Sequence, residues 1–184
     1  MKFYLAGAYP RRNELRTLND RLKALGFEST ARWLHLEHSV TNPTDAPRLG
    51  ALYARHDHDD VREADVLVFA TNEPTDPYTS GGRHFEMGLA VAWLKPVVIY
   101  DPWQHQREPG RKENIFHWYD RKVYVGNTLY PAISTVVTES SLIKTLSILD
   151  ARIRESQKWA DETVPETNPA VAFFEERIAY AGVG

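Results

Sequence analysis

Glu86 is the residue whose setting most invites chemistry. It is the lone carboxylate of Ser80–Leu94, S-G-G-R-H-F-E-M-G-L-A-V-A-W-L, an otherwise largely apolar helical run that opens on paired glycines. Burying an ionised carboxylate beside Phe85, Met87, Leu89 and Val91 is costly unless something compensates it. A helix N-terminus favours negative charge there by up to ~2 kcal/mol in a partly buried setting. Glu86 is therefore read either as a first-turn charge that complements the helix dipole or as a catalytic carboxylate. The glycines at 81 and 82 let backbone N–H groups approach a ligand closely.

Other candidates surround this one. The run His56-Asp57-His58-Asp59-Asp60 holds ligand-type side chains, with His56 and Asp60 on one helical face. Its spacing fits no zinc-hydrolase pattern, and a solvated helix end explains most of it, so no metal is expected. Asp57 has a different claim, because a helix leading into the next strand can overhang the rim of a sheet. Arg11, Arg12 and Arg83 suit an anionic group such as phosphate, although first-turn arginines are also ordinary solvated charges. Ser80, Gly81 and Gly82 add a hydroxyl and backbone donors. Tyr100, Trp103 and Trp118, with His105, Asn114 and His117, decorate a later loop. Rings there either stack on a nucleobase or, as Phe116 and Trp118 suggest, anchor the loop to the core.

The elements that must position these groups alternate. Lys2–Ala6 is a buried strand ending at Gly7, and Leu15, Leu18, Leu22 and Leu25 recur at helical spacing before Gly26. Phe27–Leu34 is expected as a second strand. Pro47–Glu63 reads as a polar helix held by Leu49, Leu52 and Val61, and Asp65–Thr71 as a fully buried strand. After the Ser80–Leu94 helix, Lys95-Pro96 leads to a strand over Val97–Tyr100. Around Gly126-Asn127 a hairpin competes with a fifth strand at Lys122–Val125; Ile133–Val137 is favoured as the fifth sheet strand because Thr138 can cap the helix after it. Leu142, Leu146, Leu149 and Ile153 give that helix its stripe.

The order predicts an α/β fold, a single-domain flavodoxin-like or Rossmann-like three-layer sandwich with a five-stranded parallel sheet. The domain is expected over residues 1–160, with 161–184 a tail that packs on the domain or on a partner subunit. Ligands of such sheets bind beyond the carboxyl ends of the strands, which brings the segments after Gly7, Thr71 and Asp101 to one rim.

Composition narrows the function. The chain has 184 residues, 42% hydrophobic and 26% charged, with a formal charge of −3. That balance argues against a nucleic-acid polymer as partner, and a membrane span is not expected. The absence of cysteine excludes a disulfide framework or a thiolate zinc site. The short apolar N-terminal run reads as strand one of a cytoplasmic protein rather than a signal segment.

Taken together these motifs resemble the nucleoside 2-deoxyribosyltransferase family, with its related 2′-deoxynucleoside 5′-monophosphate N-glycosidases, over roughly Met1–Trp118. F-Y-L-A-G-A-Y is similar to the family's first strand and glycine loop, with Tyr4 where a tyrosine positions the nucleophile. Asp57, eight residues before Asp65, stands where the family keeps a base-contacting aspartate. Glu86, in Glu-Met-Gly-Leu-Ala, matches the nucleophile of a Glu-x-Gly-x-Ala helix. Asn114, in N-I-F-H-W, resembles an asparagine lent to a neighbouring subunit. One position departs: six residues before the nucleophile the transferases carry an aspartate, and this chain has Ser80, as the monophosphate glycosidases do.

The resemblance implies an enzyme that cleaves the N-glycosidic bond of 2′-deoxyribonucleosides or their 5′-monophosphates through a glutamyl ester, with transfer to another base. Glu86, Asp57 and Tyr4 would be catalytic; Gly7, Arg11, Arg12, Ser80, Gly81, Gly82, Arg83, Asn114 and Trp118 would bind substrate. It implies no cofactor, a small nucleoside or nucleotide as partner, and a homo-oligomer. Hydrolysis of the monophosphates, glycohydrolysis of NAD or ADP-ribose, and non-catalytic nucleotide sensing are the alternatives.

Overall fold

The computed structural model describes residues 1–36, 43–75, 81–108, 117 and 119–163, with side chains to 159. Strands β1 (Lys2–Ala6), β2 (Glu28–Ser29), β3 (Val66–Ala70), β4 (Val97–Tyr100) and β7 (Ile133–Val136) form one sheet in the order β2-β1-β3-β4-β7. All its pairings are parallel. Strands β5 (Lys122–Val125) and β6 (Thr128–Pro131) make a separate antiparallel hairpin.

The central strands carry apolar residues without alternation because helices cover both faces. All of β3, Val66 to Ala70, is buried, as are Val97, Val98 and Ile99 of β4. Helix α1 (Arg12–Ala24) carries the chain from β1 outward to β2; α2 (Ala46–Glu63) and α3 (Gly82–Ala92) carry it back across β1 to β3 and on to β4. Right-handed crossovers in opposite directions put α1 on one face and α2 with α3 on the other. Helix α4 (Glu139–Thr163) joins α1, as the Arg21–Glu139 ion pair at 2.9 Å shows. The expected three-layer, five-stranded architecture is what forms.

Several local expectations need correction. The second strand is only Glu28–Ser29, because the chain turns at once: Arg32 N–H donates to Thr30 O at 2.8 Å, and the Trp33 indole takes the Leu5 carbonyl of β1 at 2.8 Å. In α2, Val61 is buried but Leu52 is 38% exposed. An 18-residue helix is roughly 27 Å long against roughly 17 Å for a five-residue strand, so the first turns of α2 overhang the carboxyl rim of the sheet.

Around Gly126 the hairpin forms, Lys122–Val125 is one of its arms rather than the fifth sheet strand, and the favoured Ile133–Val137 segment supplies that strand over Ile133–Val136. Gly126 has φ +58°, and a Cβ there would stand 2.6 Å from the Arg152 carbonyl, which fixes the hairpin turn against α4. Thr138 caps α4 through Ser141 N–H to its Oγ1 at 3.1 Å. Among the described residues no helix is long and apolar enough to cross a membrane.

Candidate active site

At the carboxyl rim, β1 and α3 bring Tyr4 and Glu86 together. The buried Tyr4 hydroxyl donates to Glu86 Oε1 at 3.0 Å. Glu86 is the fifth residue of α3, in its second turn, so the first-turn dipole reading does not hold. Its neighbours also differ from expectation. Met87 is buried, whereas Phe85 is 67% exposed and lines an apolar groove with Leu89, Tyr119 and Ile133.

Asp57 reaches the same site from the overhanging helix α2, which packs against α3. Burial and the charge of Asp57 push the Glu86 carboxyl up to about 8, against the pull of the Tyr4 hydroxyl and the Arg83 guanidinium. Burial and the neighbouring Asp60 push Asp57 up to about 6, against the pull of Arg32. Burial, then the two carboxylates, hold the Tyr4 phenol well above 10, so it remains a donor at any working pH. Two carboxyls with proton affinities pushed apart and upward, beside a fixed donor, are suited to nucleophilic and acid–base work.

The arginines are less free than the sequence suggests. Arg11 holds Glu14, through Nε at 2.9 Å, and also donates to the Thr71 carbonyl. Arg12 donates to the Leu34 carbonyl at 3.0 Å and lies over the Tyr9 ring. Arg83 is turned inward: it is 3% exposed, sits over Phe69, and donates to Asn72 Oδ1 at 2.7 Å and the Ala70 carbonyl at 3.3 Å. Arg107 donates to the Asn72 carbonyl at 2.7 Å and to Asp101 at 3.0 Å, while Asp101 accepts from Thr71 Oγ1 at 2.7 Å. Three guanidiniums thus grip successive carbonyls, of Ala70, Thr71 and Asn72, where β3 ends.

Gly7 is required for packing, since a Cβ there would lie 2.2 Å from Cδ1 of the buried Leu15. Gly81 and Gly82 are exposed at the start of α3, and a Cβ on Gly81 would meet nothing within 4 Å. Ser80, Asn114 and Trp118 lie outside the described residues. His117 stacks on His84 at 6.0 Å, and both rings lie 5.0 Å from Phe69. In the His/Asp run, Asp60 is held by Arg32 at 2.6 Å and His58 meets the Trp93 ring edge-on at 5.1 Å. Among the described residues no three His, Cys, Asp or Glu side chains are grouped as metal ligands would be.

Sequence reasoning missed Arg32, Asp101 and Arg107, and read Asp60 only as a metal-ligand type rather than as the partner of Arg32. Asp101, first after β4, carried a readable signal in its rim position. The Arg32–Asp60 pair is a contact across 28 positions and carried none.

Residues 3–138 match the nucleoside 2-deoxyribosyltransferase family. Among solved structures, the chain is similar to the CMP N-glycosidase BcmB of Clostridium botulinum, with 16% identity, a TM-score of 0.44, and coverage of 80% of this chain and 99% of that one. It is also similar to a 2-deoxyribosyltransferase of Bacillus psychrosaccharolyticus, with 16% identity, a TM-score of 0.49, and coverage of 81% and 96%. No curated protein matches the chain in sequence.

Proposed function

The chain belongs to the nucleoside 2-deoxyribosyltransferase family, and from that premise we propose that it cleaves the N-glycosidic bond of 2′-deoxyribonucleosides or their 5′-monophosphates through an ester on Glu86. The observation that carries this reading is the Tyr4 hydroxyl at 3.0 Å from Glu86 Oε1, with Asp57 near enough for its charge to raise the glutamate.

In the first half-reaction a Glu86 oxygen bonds to C1′ while the C1′–N bond breaks and its electron pair leaves with the base. Asp57 gives its proton to the departing nitrogen. Positive charge grows at C1′ in the transition state, which favours ionised Glu86 and so moves the shared proton to Asp57. Tyr4 holds the other end of the geometry, fixing one carboxylate oxygen by its hydrogen bond. In the second half, the nitrogen of an incoming base attacks C1′, Glu86 leaves, and Asp57 takes the proton back.

Ser80 favours a second reading. At its position the transferases carry an aspartate, which would repel a 5′-phosphate, whereas a hydroxyl can donate to one. Arg11, Arg12 and Arg83 already hold carbonyls or carboxylates within the chain, and this reading assigns the 5′-phosphate to Ser80 and the N–H groups at Gly81 and Gly82. With water in place of the incoming base, its oxygen attacks C1′, Glu86 leaves and Asp57 takes the proton, so that the N-glycosidic bond of the 5′-monophosphate is hydrolysed.

The test is incubation with each deoxynucleoside and deoxynucleoside monophosphate, with and without a free acceptor base, followed by chromatography. Exchange of bases supports transfer, and free deoxyribose 5-phosphate supports hydrolysis. Nicotinamide release from NAD instead, or binding without base release, would overturn both.

A further inference from the structure

Arg32 brackets the helical turn that carries Asp57. Its Nη2 donates to the His56 carbonyl at 3.1 Å, its Nε to Asp60 Oδ1 at 2.6 Å and its backbone N–H to Asp60 Oδ2 at 3.0 Å. Thr30 Oγ1 donates to the Asp60 carbonyl at 2.9 Å. Thr30 and Arg32, two positions apart in one turn, therefore hold residues 56 and 60, on either side of Asp57. The Asp60 side chain is 4% exposed, so its charge is answered by protein rather than water.

The bracket is itself anchored to the frame that carries Tyr4. Trp33 Nε1 donates to the Leu5 carbonyl of β1, and the Leu34 carbonyl accepts from Arg12 at 3.0 Å and from Arg16 at 2.7 Å. Ordinary capping of the last turn of α2 accounts for the Thr30 tie to the Asp60 carbonyl, but nothing in it calls for a guanidinium that spans the His56 carbonyl and the Asp60 carboxylate. A rigid link from β1 to the Asp57 turn does, because a proton donor must be placed within hydrogen-bond reach of its target.

We propose that Arg32 is a positioning residue for Asp57, clamping the turn at His56 and Asp60 so that the Asp57 carboxyl meets the leaving base, and that Asp60 sets its charge environment. The proposal rests on the reading of Asp57 as the acid of an N-glycosidic cleavage. Among the described residues, the charged and titratable groups that act on this turn are Asp60 and His56 from α2, Arg32 from the turn after β2, Tyr4 from β1, and Glu86 from α3. Asp60 favours the protonated Asp57 and Arg32 the ionised one, in opposite senses.

Opposite senses give a test that a merely structural role would not pass. The Asp57 titration is followed by carbon NMR of its carboxyl group, beside kcat and KM for base release from deoxynucleosides and their monophosphates. Asp60→Asn removes a negative charge and lowers the Asp57 midpoint by about 1 pH unit; Arg32→Gln removes the positive charge and raises it. Arg32→Lys keeps the charge but loses the two-ended grip, so kcat falls about 10-fold or more with KM and midpoint near wild type. Should Arg32→Gln fail to fold with Asp60 left unpaired, the other two variants decide. An active wild type whose Asp60→Asn and Arg32→Lys forms keep its rates and its midpoint overturns the proposal alone. A wild type without base release on any substrate overturns the parent reading, and the proposal with it.

Discussion

The hydroxyl of Tyr4 and the carboxylate of Glu86, 82 positions apart in the chain, meet at 3.0 Å where β1 and α3 come together. The bond supplies the ionised glutamate with a fixed donor inside a site that otherwise resists its charge. Replacing Tyr4 by Phe keeps the ring in the core and removes only the donor. A hydrogen bond to a charged group contributes about 1.5–3 kcal/mol, so kcat should fall about 10- to 100-fold with the fold intact. Because the hydroxyl pulls the Glu86 proton affinity down, its loss should also move the alkaline limb of the pH profile upward. Steady-state kinetics of Tyr4→Phe between pH 5 and 10 check both effects.

The pH dependence of the wild type follows from the pair. Asp57 is raised to about 6 and Glu86 to about 8, so between those values the two carboxyls share one proton. Below about 6 both are protonated and the nucleophile is lost; above about 8 neither is, and the acid is lost. A plot of kcat/KM for base release should be bell-shaped with its maximum near neutrality, whichever carboxyl holds the proton in the free protein. A rate that keeps climbing past pH 9 would show that no protonated carboxyl is needed.

The same shift is a stability statement. The Glu86 carboxyl is raised in the folded chain from 4.5 to about 8, so the folded state binds its proton more tightly than the unfolded state does. That advantage is complete below 4.5 and is lost as pH rises through 8. At about 1.4 kcal/mol per pH unit the ionised group costs the fold as much as ~5 kcal/mol at the alkaline end. Glu86→Gln should therefore melt close to wild type at pH 4.5 and well above it at pH 8.5, while its base release is abolished. Melting curves at the two pH values check the sign.

Gly7 offers a test of the scaffold rather than the chemistry. A methyl at Gly7 would stand 2.2 Å from Cδ1 of Leu15, a fully buried side chain that can make room only by repacking its neighbours. Overpacking of this kind costs about 1–3 kcal/mol, and for a chain of this size each kcal/mol lowers Tm by about 2–4 °C. Gly7→Ala should melt several degrees lower, and thermal unfolding read by circular dichroism measures it.

What was legible in the sequence was what depends on neighbours in the chain. Hydrophobic runs and breakers located β1, β3, β4 and α1, and the capping Thr138 singled out Ile133–Val137 as the fifth sheet strand, which forms over Ile133–Val136. Glu86 stood out by its setting in an apolar helix, but Tyr4 and Asp57 joined it only as spaced motifs, since no local pattern says that residues 53 and 29 positions apart share a rim. Arg83 shows the limit. An arginine in a glycine turn reads the same whether it faces a ligand or the core, and what turned it inward was Phe69 and Asn72 on another element. The second strand was overread because its end is decided by Trp33 reaching the Leu5 carbonyl, a tertiary contact across 28 positions.

The central claim is that Glu86 forms the bond to C1′, and a trapped intermediate tests it most directly. The protein is mixed with a reactive deoxynucleoside or deoxynucleoside monophosphate without acceptor base, quenched in acid within its first turnover, digested and examined by mass spectrometry. The account predicts a deoxyribosyl or phosphodeoxyribosyl adduct on the peptide containing Glu86, absent from Glu86→Gln, which also releases no base. Base release at wild-type rates by Glu86→Gln, or an adduct on any other carboxylate, would contradict it.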